Sequence, residues 1–269
     1  MNCILLFQGL LQKACNEEVV MGKNSKIPNS RENKDFYKSF FDKREYERED
    51  VERYKTIFRL IDESNISHEK RVLDIGCGGG AISKTLDKLF DVVYAYDISL
   101  SPDMRIVLQE ASRIHFVEGI LPYLPIADSC IDLVVFSEVL EHLYKEYQAM
   151  SIEAIARVVR KGCFVILTTP NPLGIRSIIY VPIKILKQIL GRPMSGQLIE
   201  NWIKPIDLQR MVEPFFFIEK RVGTNYVPPY VDRLPYSISS YLYRISSSIG
   251  RKQILSGLGE YQYYLLRRL

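Results

Sequence analysis

From Arg71 to the C-terminus the apolar positions switch repeatedly between two periods. Short apolar runs predict strands near 71–75, 92–97, 114–118, 131–137 and 163–169. Between them apolar residues recur every three or four positions, which predicts helices near 80–89, 102–112, 144–160 and 205–212. Strand and helix in alternation imply an α/β fold, a parallel sheet with helices on both faces. Two further runs, near 215–222 and 260–268, read as strands without a regular helical crossover between them.

Outside this alternation the pattern changes. Residues 33–63 are dense in charge of both signs, and Phe36, Phe40, Phe41, Tyr54, Ile57, Phe58 and Ile61 recur at helical spacing. One or two amphipathic helices beside the sheet are expected, their charges forming a solvated face. Residues 1–30 read as a variable or disordered tail. Its apolar start is too short to span a bilayer and lacks a basic region before it, so it does not read as a signal peptide. Met21 is an alternative start, because the following residues form a polar tail.

Two insertions interrupt the later part of the chain. In residues 173–204, Arg176, Lys184, Lys187, Arg192 and Lys204 stand against Glu200 alone. A helix here would carry Ile183, Ile185, Leu186, Ile189 and Leu190 on one face and Lys184, Lys187 and Gln188 on the other. Two readings stand side by side: an interfacial membrane helix, and a lid over a substrate pocket. Residues 223–257 place Tyr226, Tyr230, Tyr236, Tyr241 and Tyr243 among prolines and serines, between the last two strands.

Composition sets the outer bounds. The chain has 269 residues, 47% hydrophobic and 25% charged, as expected for one globular domain with embellishments. A net charge of +4 is too small to point to nucleic acid. Its five cysteines are scattered, with no Cys-x-x-Cys pair, so neither a disulfide framework nor a zinc site is indicated. A reducing, cytoplasmic setting is expected, with membrane association only if 173–204 lies on a bilayer.

The chemistry gathers where strands end. Val72, Leu73 and Ile75 form a buried run, Asp74 stands near its carboxyl end, and Gly76, Cys77, Gly78 and Gly80 make a turn into a helix. Free N–H groups and the helix dipole make such a turn a pocket for a polar ligand. The acid at its mouth suits a ligand presenting a positive group. Asp97 closes the next strand, about 20 residues past the glycines, where a carboxylate meets ribose hydroxyls. The turn also satisfies the dinucleotide pattern G-x-G-x-x-G/A.

Further motifs narrow the choice. Leu124-Pro125 with Ile131-Asp132-Leu133-Val134, then Glu138-Val139-Leu140-Glu141-His142-Leu143 and Thr168-Thr169-Pro170-Asn171-Pro172, follow the glycine turn and Asp97 in order. Over roughly residues 50–170 the chain thereby resembles the class I S-adenosylmethionine-dependent methyltransferases. The Glu-x-x-Glu-His run and Thr-Thr-Pro-Asn-Pro look most like the quinone-biosynthesis O-methyltransferase branch. The resemblance implies a Rossmann-like, seven-stranded, mostly parallel sheet with an antiparallel C-terminal strand. It also implies S-adenosylmethionine as cofactor, held by Asp74, Gly76, Cys77, Gly78, Gly80, Asp97, Ile98, Gly119, Ile120 and Leu121. One departure stands out: the family usually has Gly-Asp after the third strand, and this chain has Gly119-Ile120. The leading helical segment often lids the cofactor pocket in the family, a role open to Phe36, Tyr37 and Phe41.

Glu138 and His142 are the expected catalytic residues. Methyl transfer needs a proton acceptor only when the nucleophile, such as a phenol or alcohol, must lose a proton. His142 suits that task. The resemblance also allows Glu138, Glu141 and His142 to hold a divalent metal. Tyr144 and Tyr147 stand where an aromatic substrate pocket would lie. The expected function is methyl transfer to a small or lipophilic acceptor at a hydroxyl oxygen. Rivals are an N- or C-methyltransferase, a nicotinamide-dependent oxidoreductase, and a non-catalytic nucleotide-binding module.

Overall fold

The computed structural model describes residues 48–67, 69–175, 177–178, 201–227 and 253–269, with short stretches at 231, 235, 237–239, 241–242 and 245–246. The residue 1–30 tail, Phe36, Tyr37 and Phe41, the helical face expected from Ile183 to Leu190 and parts of 223–257 lie outside the described residues.

Seven strands make one sheet: β1 (Arg71–Ile75), β2 (Val92–Asp97), β3 (Ile114–Glu118), β4 (Ile131–Ser137), β5 (Val159–Pro170), β6 (Phe216–Thr224) and β7 (Tyr261–Arg268). Their order is β3-β2-β1-β4-β5-β7-β6. The first five pair in parallel, and β7 runs antiparallel between β5 and β6. This is the Rossmann-like, mostly parallel sheet that the alternation and the resemblance implied. Helices α1 (Arg48–Glu63), α2 (Ala81–Leu89), α3 (Pro102–Glu110), α4 (Lys145–Val158) and α5 (Pro205–Val212) connect or flank the strands.

Each face of the sheet has its own apolar layer. Leu73, Ile75, Tyr96, Phe136 and Leu167 pack with Ile152 and Ile155 of α4 on one side. Val72, Val93, Leu133 and Ile166 pack with Ile57 and Leu60 of α1 and Leu86 of α2 on the other. Central strands buried on both faces are why β4 reads as a nearly unbroken apolar run.

One boundary differs from expectation. The helical period suggested α4 to about residue 160, but β5 starts at Val159, which pairs with Ile131. The register then shifts between Ile131 and Leu133, and Gly162 adopts a φ of +77° with no atom within 4 Å of where its Cβ would stand. Sheet pairing of a buried β-branched residue overrides the helical spacing, and glycine lets the strand kink.

Below β4, at the end of the sheet away from the ligand side, Asp132 is buried. It accepts from the Arg71 backbone at 2.9 Å and pairs with Arg160 at 2.5 Å. The carboxylate ties β1, β4 and β5 together. Among the described residues, no helix is long and apolar enough to cross a membrane.

Candidate active site

A cavity of about 400 Å³ opens at the carboxyl ends of β1, β2, β3, β4 and β5. In a parallel sheet this is where ligands bind, beside the point at which the strand order reverses between β1 and β4.

The first wall is the turn after β1. Gly76, Gly78 and Gly80 adopt φ values of +73°, +51° and +80°, which favour glycine. Gly76 and Cys77 both donate to the Tyr96 carbonyl, at 2.8 and 3.2 Å. A Cβ at Gly76 would stand 2.1 Å from Val139, so the turn lies hard against the loop after β4. Gly80 does not line the cavity. Its missing side chain leaves room for Met104 and Val107 of α3, so its part is in packing the helix start.

Asp74 is 1% exposed, and the Ser83 hydroxyl of α2 donates to it at 2.5 Å. Burial pushes its pKa up to about 7, the Ser83 hydrogen bond opposes this, and the Asp97 charge adds to the rise. Asp97, at the end of β2, accepts from the Gly78 backbone at 2.9 Å and from the Ser99 backbone at 3.3 Å. Its carboxyl is also raised, chiefly by burial. The turn and the neighbouring strand end are thereby bolted together by one carboxylate.

The third wall follows β3. Gly119, Ile120 and Leu121 line the cavity, and Gly119 donates to the Asp97 carbonyl at 2.9 Å. Glycine at 119 is needed for close approach, because a Cβ there would stand 2.7 Å from the Tyr96 hydroxyl. Ile98 also lines the cavity.

The wall after β4 is more polar. Glu138 follows β4 with a φ of +55°, a conformation that non-glycine residues adopt at a cost of about 1–3 kcal/mol where surroundings enforce it. The Thr168 hydroxyl donates to Glu138 at 2.7 Å and lies 2.9 Å from the Ser137 hydroxyl. The next residue, Thr169, donates to Glu141 at 3.3 Å. Glu141 is 1% exposed, and burial followed by the Glu138 charge drives its pKa well above the usual carboxylate range. Its Oε1 lies 3.8 Å from His142 Nε2. Glu141 and His142 share the single 3-10 turn Leu140–His142, and His142 faces the cavity.

The metal alternative does not fit this wall. Among the described residues, no group of three or more His, Cys, Asp or Glu side chains is placed to hold a metal ion. The threonine pair instead draws the two glutamates to separate hydroxyls.

Other lining residues were not legible in the motifs. Arg53 and Tyr54 come from α1, Trp202 precedes α5, and Glu260 and Tyr261 open β7. Asn171 places the last pair by donating to the carbonyls of Gly257 and Gly259 at 2.9 and 2.8 Å. Tyr144 and Tyr147 line the cavity as expected, in an edge-on pair with ring centres 6.4 Å apart. Tyr226 is instead buried in packing away from the cavity. His115 is exposed on β3, and His68 lies outside the described residues.

The fold and this cavity define an α/β enzyme built around an adenosyl-type cofactor. Residues 73–167 match the family model of the methyltransferase domain. The ubiquinone biosynthesis O-methyltransferase of Shewanella sp. (strain ANA-3) is 27% identical over 170 residues, covering 59% of this chain and 68% of that protein. The ubiquinone biosynthesis O-methyltransferase of Vibrio parahaemolyticus is 28% identical over the same shares. A SAM-dependent methyltransferase from Archaeoglobus fulgidus has the same fold, with a TM-score of 0.58 at 19% identity over 87% of this chain and all of that one. The N-methyltransferase NodS from Bradyrhizobium japonicum, solved with S-adenosyl-L-homocysteine, gives a TM-score of 0.54 at 13% identity over 87% of this chain and 98% of that one.

The chain carries a class I methyltransferase domain and is an S-adenosylmethionine-dependent enzyme. The rival readings as a nicotinamide-dependent oxidoreductase or a non-catalytic module fall with this match. The residues present fit the cofactor. The turn at Gly76, Cys77 and Gly78, the buried carboxylates of Asp74 and Asp97 and the apolar Ile120 and Leu121 share one cavity.

Proposed function

We propose that the enzyme methylates a hydroxyl oxygen of a small or lipophilic acceptor. The observation that carries this reading is the wall facing the glycine turn, where His142 and Glu138 stand beside Tyr144, Tyr147 and Trp202 in one cavity. A proton acceptor beside aromatic surface suits a phenol-like hydroxyl. The two O-methyltransferase relatives support the same choice.

The roles follow from position. Gly76, Cys77 and Gly78 cradle the amino-acid end of the cofactor, with Asp74 behind them. Asp97 holds the ribose hydroxyls, and Ile98, Gly119, Ile120 and Leu121 enclose the base. Bound S-adenosylmethionine supplies a methyl group already activated by its sulfonium charge. The protein's part is to align the acceptor, exclude water and take the hydroxyl proton on His142. Glu138, fixed by Thr168, orients the acceptor or His142. Incubation with labelled S-adenosylmethionine and a cell lipid extract tests the reading. A labelled methyl ether is the expected product, and label found only on nitrogen or carbon would replace it with the N- or C-methyltransferase reading.

Two predictions concern the cofactor half. Asp97→Ala is expected to weaken S-adenosylhomocysteine binding at least tenfold in a protein that still melts cooperatively, since each hydrogen bond to a charged group contributes about 1.5–3 kcal/mol. Unchanged affinity by calorimetry in the folded variant would remove Asp97 from the site.

The second uses Asp74. Unfolded, its pKa is 3.8, and folded it is about 7. The folded protein therefore holds a proton that the unfolded chain releases, and this group's stabilising contribution is lost as pH rises from about 4 through about 7. A bound positive group favours the carboxylate and reverses that trend. Cofactor affinity should thus fall as pH drops below about 7, with proton release seen by calorimetry in two buffers of different ionisation heat. Asp74→Asn should flatten the profile. A wild-type affinity constant from pH 5.5 to 8 would show that Asp74 does not sense the ligand's charge.

A further inference from the structure

The end wall of the cavity after β3 differs in chemistry from the rest. Six carboxylates line the cavity, Asp74, Asp97, Asp103, Glu138, Glu141 and Glu260, and none belongs to the loop at 119–121. Glu118, directly before that loop, is exposed and does not line the cavity.

Several polar groups at this end are engaged within the protein. Gly119 N–H donates to the Asp97 carbonyl at 2.9 Å, and the Ile120 carbonyl accepts from Tyr123 N–H at 2.9 Å. The Tyr96 hydroxyl donates to the Tyr123 carbonyl at 3.2 Å. Asp97 itself takes the backbone of Gly78 and Ser99. Of the side chains in this loop, those that line the cavity are the half-buried Ile120 and the buried Leu121, and both are apolar.

Strand order then decides which part of the ligand meets this wall. With the glycine turn after β1 and Asp97 after β2, a cofactor laid across the strand ends brings its base to the end of β3, the outermost strand. We infer that this wall recognises the base by its flat apolar shape and not by its exocyclic amino group. The inference rests on the proposed placement of the cofactor. Its consequence is a relaxed specificity: the enzyme accepts cofactors altered at the 6-position of the purine.

The probe is the 6-deamino analogue of S-adenosylhomocysteine, which keeps the purine ring nitrogens and lacks only the amino group. A hydrogen bond from that amine to a carboxylate would make its removal cost about ten- to a hundredfold in affinity. Calorimetry on the wild-type protein should instead find the two ligands within about threefold of one another. Ile120→Asp supplies the missing carboxylate and should create a preference for the amino form of at least tenfold.

Discrimination above tenfold in the wild-type protein would overturn the inference. Its loss in Asp103→Asn or Glu118→Gln would then identify the group that reads the edge. An Ile120→Asp protein that melts normally, binds S-adenosylhomocysteine and gains no preference would also overturn it, by showing that the base lies elsewhere. Failure of the wild-type protein to bind S-adenosylhomocysteine at all is a separate result, and it would strike the placement of the cofactor in this cavity.

Discussion

Gly76→Val is expected to abolish S-adenosylhomocysteine binding. Two independent effects act at this position. The backbone sits at a φ of +73°, which a β-branched residue adopts only with strain of about 1–2 kcal/mol or more. A Cβ would also stand 2.1 Å from Cγ2 of Val139, a short side chain whose backbone opens the turn carrying Glu141 and His142. Relief must come from moving the glycine turn or the loop after β4, and both bound the cavity. Calorimetry with S-adenosylhomocysteine reads the loss, and thermal melting shows whether the fold survives. The double variant Gly76→Ala, Val139→Ala separates the causes, because Val139→Ala removes the overlapping methyl and leaves only the backbone strain. Partial recovery of binding there is the expected result. Wild-type affinity in a folded Gly76→Val protein would show that the turn does not touch the cofactor.

His142→Ala should lower turnover by about 10²–10⁴ while leaving cofactor affinity within a few fold, the range for loss of a general base. The side chain faces the cavity from a single 3-10 turn after β4, with Glu141 3.8 Å away. With the acceptor identified from the labelled lipid extract, kcat and the S-adenosylhomocysteine Kd can be measured on the same preparation. Equal losses in both would mark His142 as a structural support of the turn.

The order of elements was legible because each leaves a local signature. β1, β2 and β4 are apolar runs, and α2 and α3 keep a helical period between them. The glycine turn, Asp74 and Asp97 were legible for a related reason: positive φ values and a carboxylate at a strand end are demands made within a few residues. Gly80 shows the limit of that logic. It obeys the motif and has a φ of +80°, yet its open side faces Met104 and Val107 and not the cavity. The spacing of glycines reports backbone conformation, and only packing shows which side each one opens.

The second half of the site was harder to read. Glu138 and Glu141 drew attention as a possible metal set with His142, since three ligands stand within five residues. In the folded chain Thr168 and Thr169, about thirty positions away, take one glutamate each. Arg53, Trp202, Glu260 and Tyr261 reach the cavity from three separated stretches, and no motif joins them.

By itself the chain's sequence determined the alternation of strands and helices, the parallel sheet and the glycine turn, which follow from periodicity and from residues close together, where local sterics and burial act directly. The cofactor and the class of chemistry came from the resemblance that its motifs carry. Only the tertiary structure decided that β7 inserts between β5 and β6, that the threonines of β5 hold the two glutamates, and that Arg53, Trp202, Glu260 and Tyr261 reach the cavity. Such features depend on contacts between residues far apart in sequence, whose pairing is chosen by the collective packing of the sheet and leaves no local period to read.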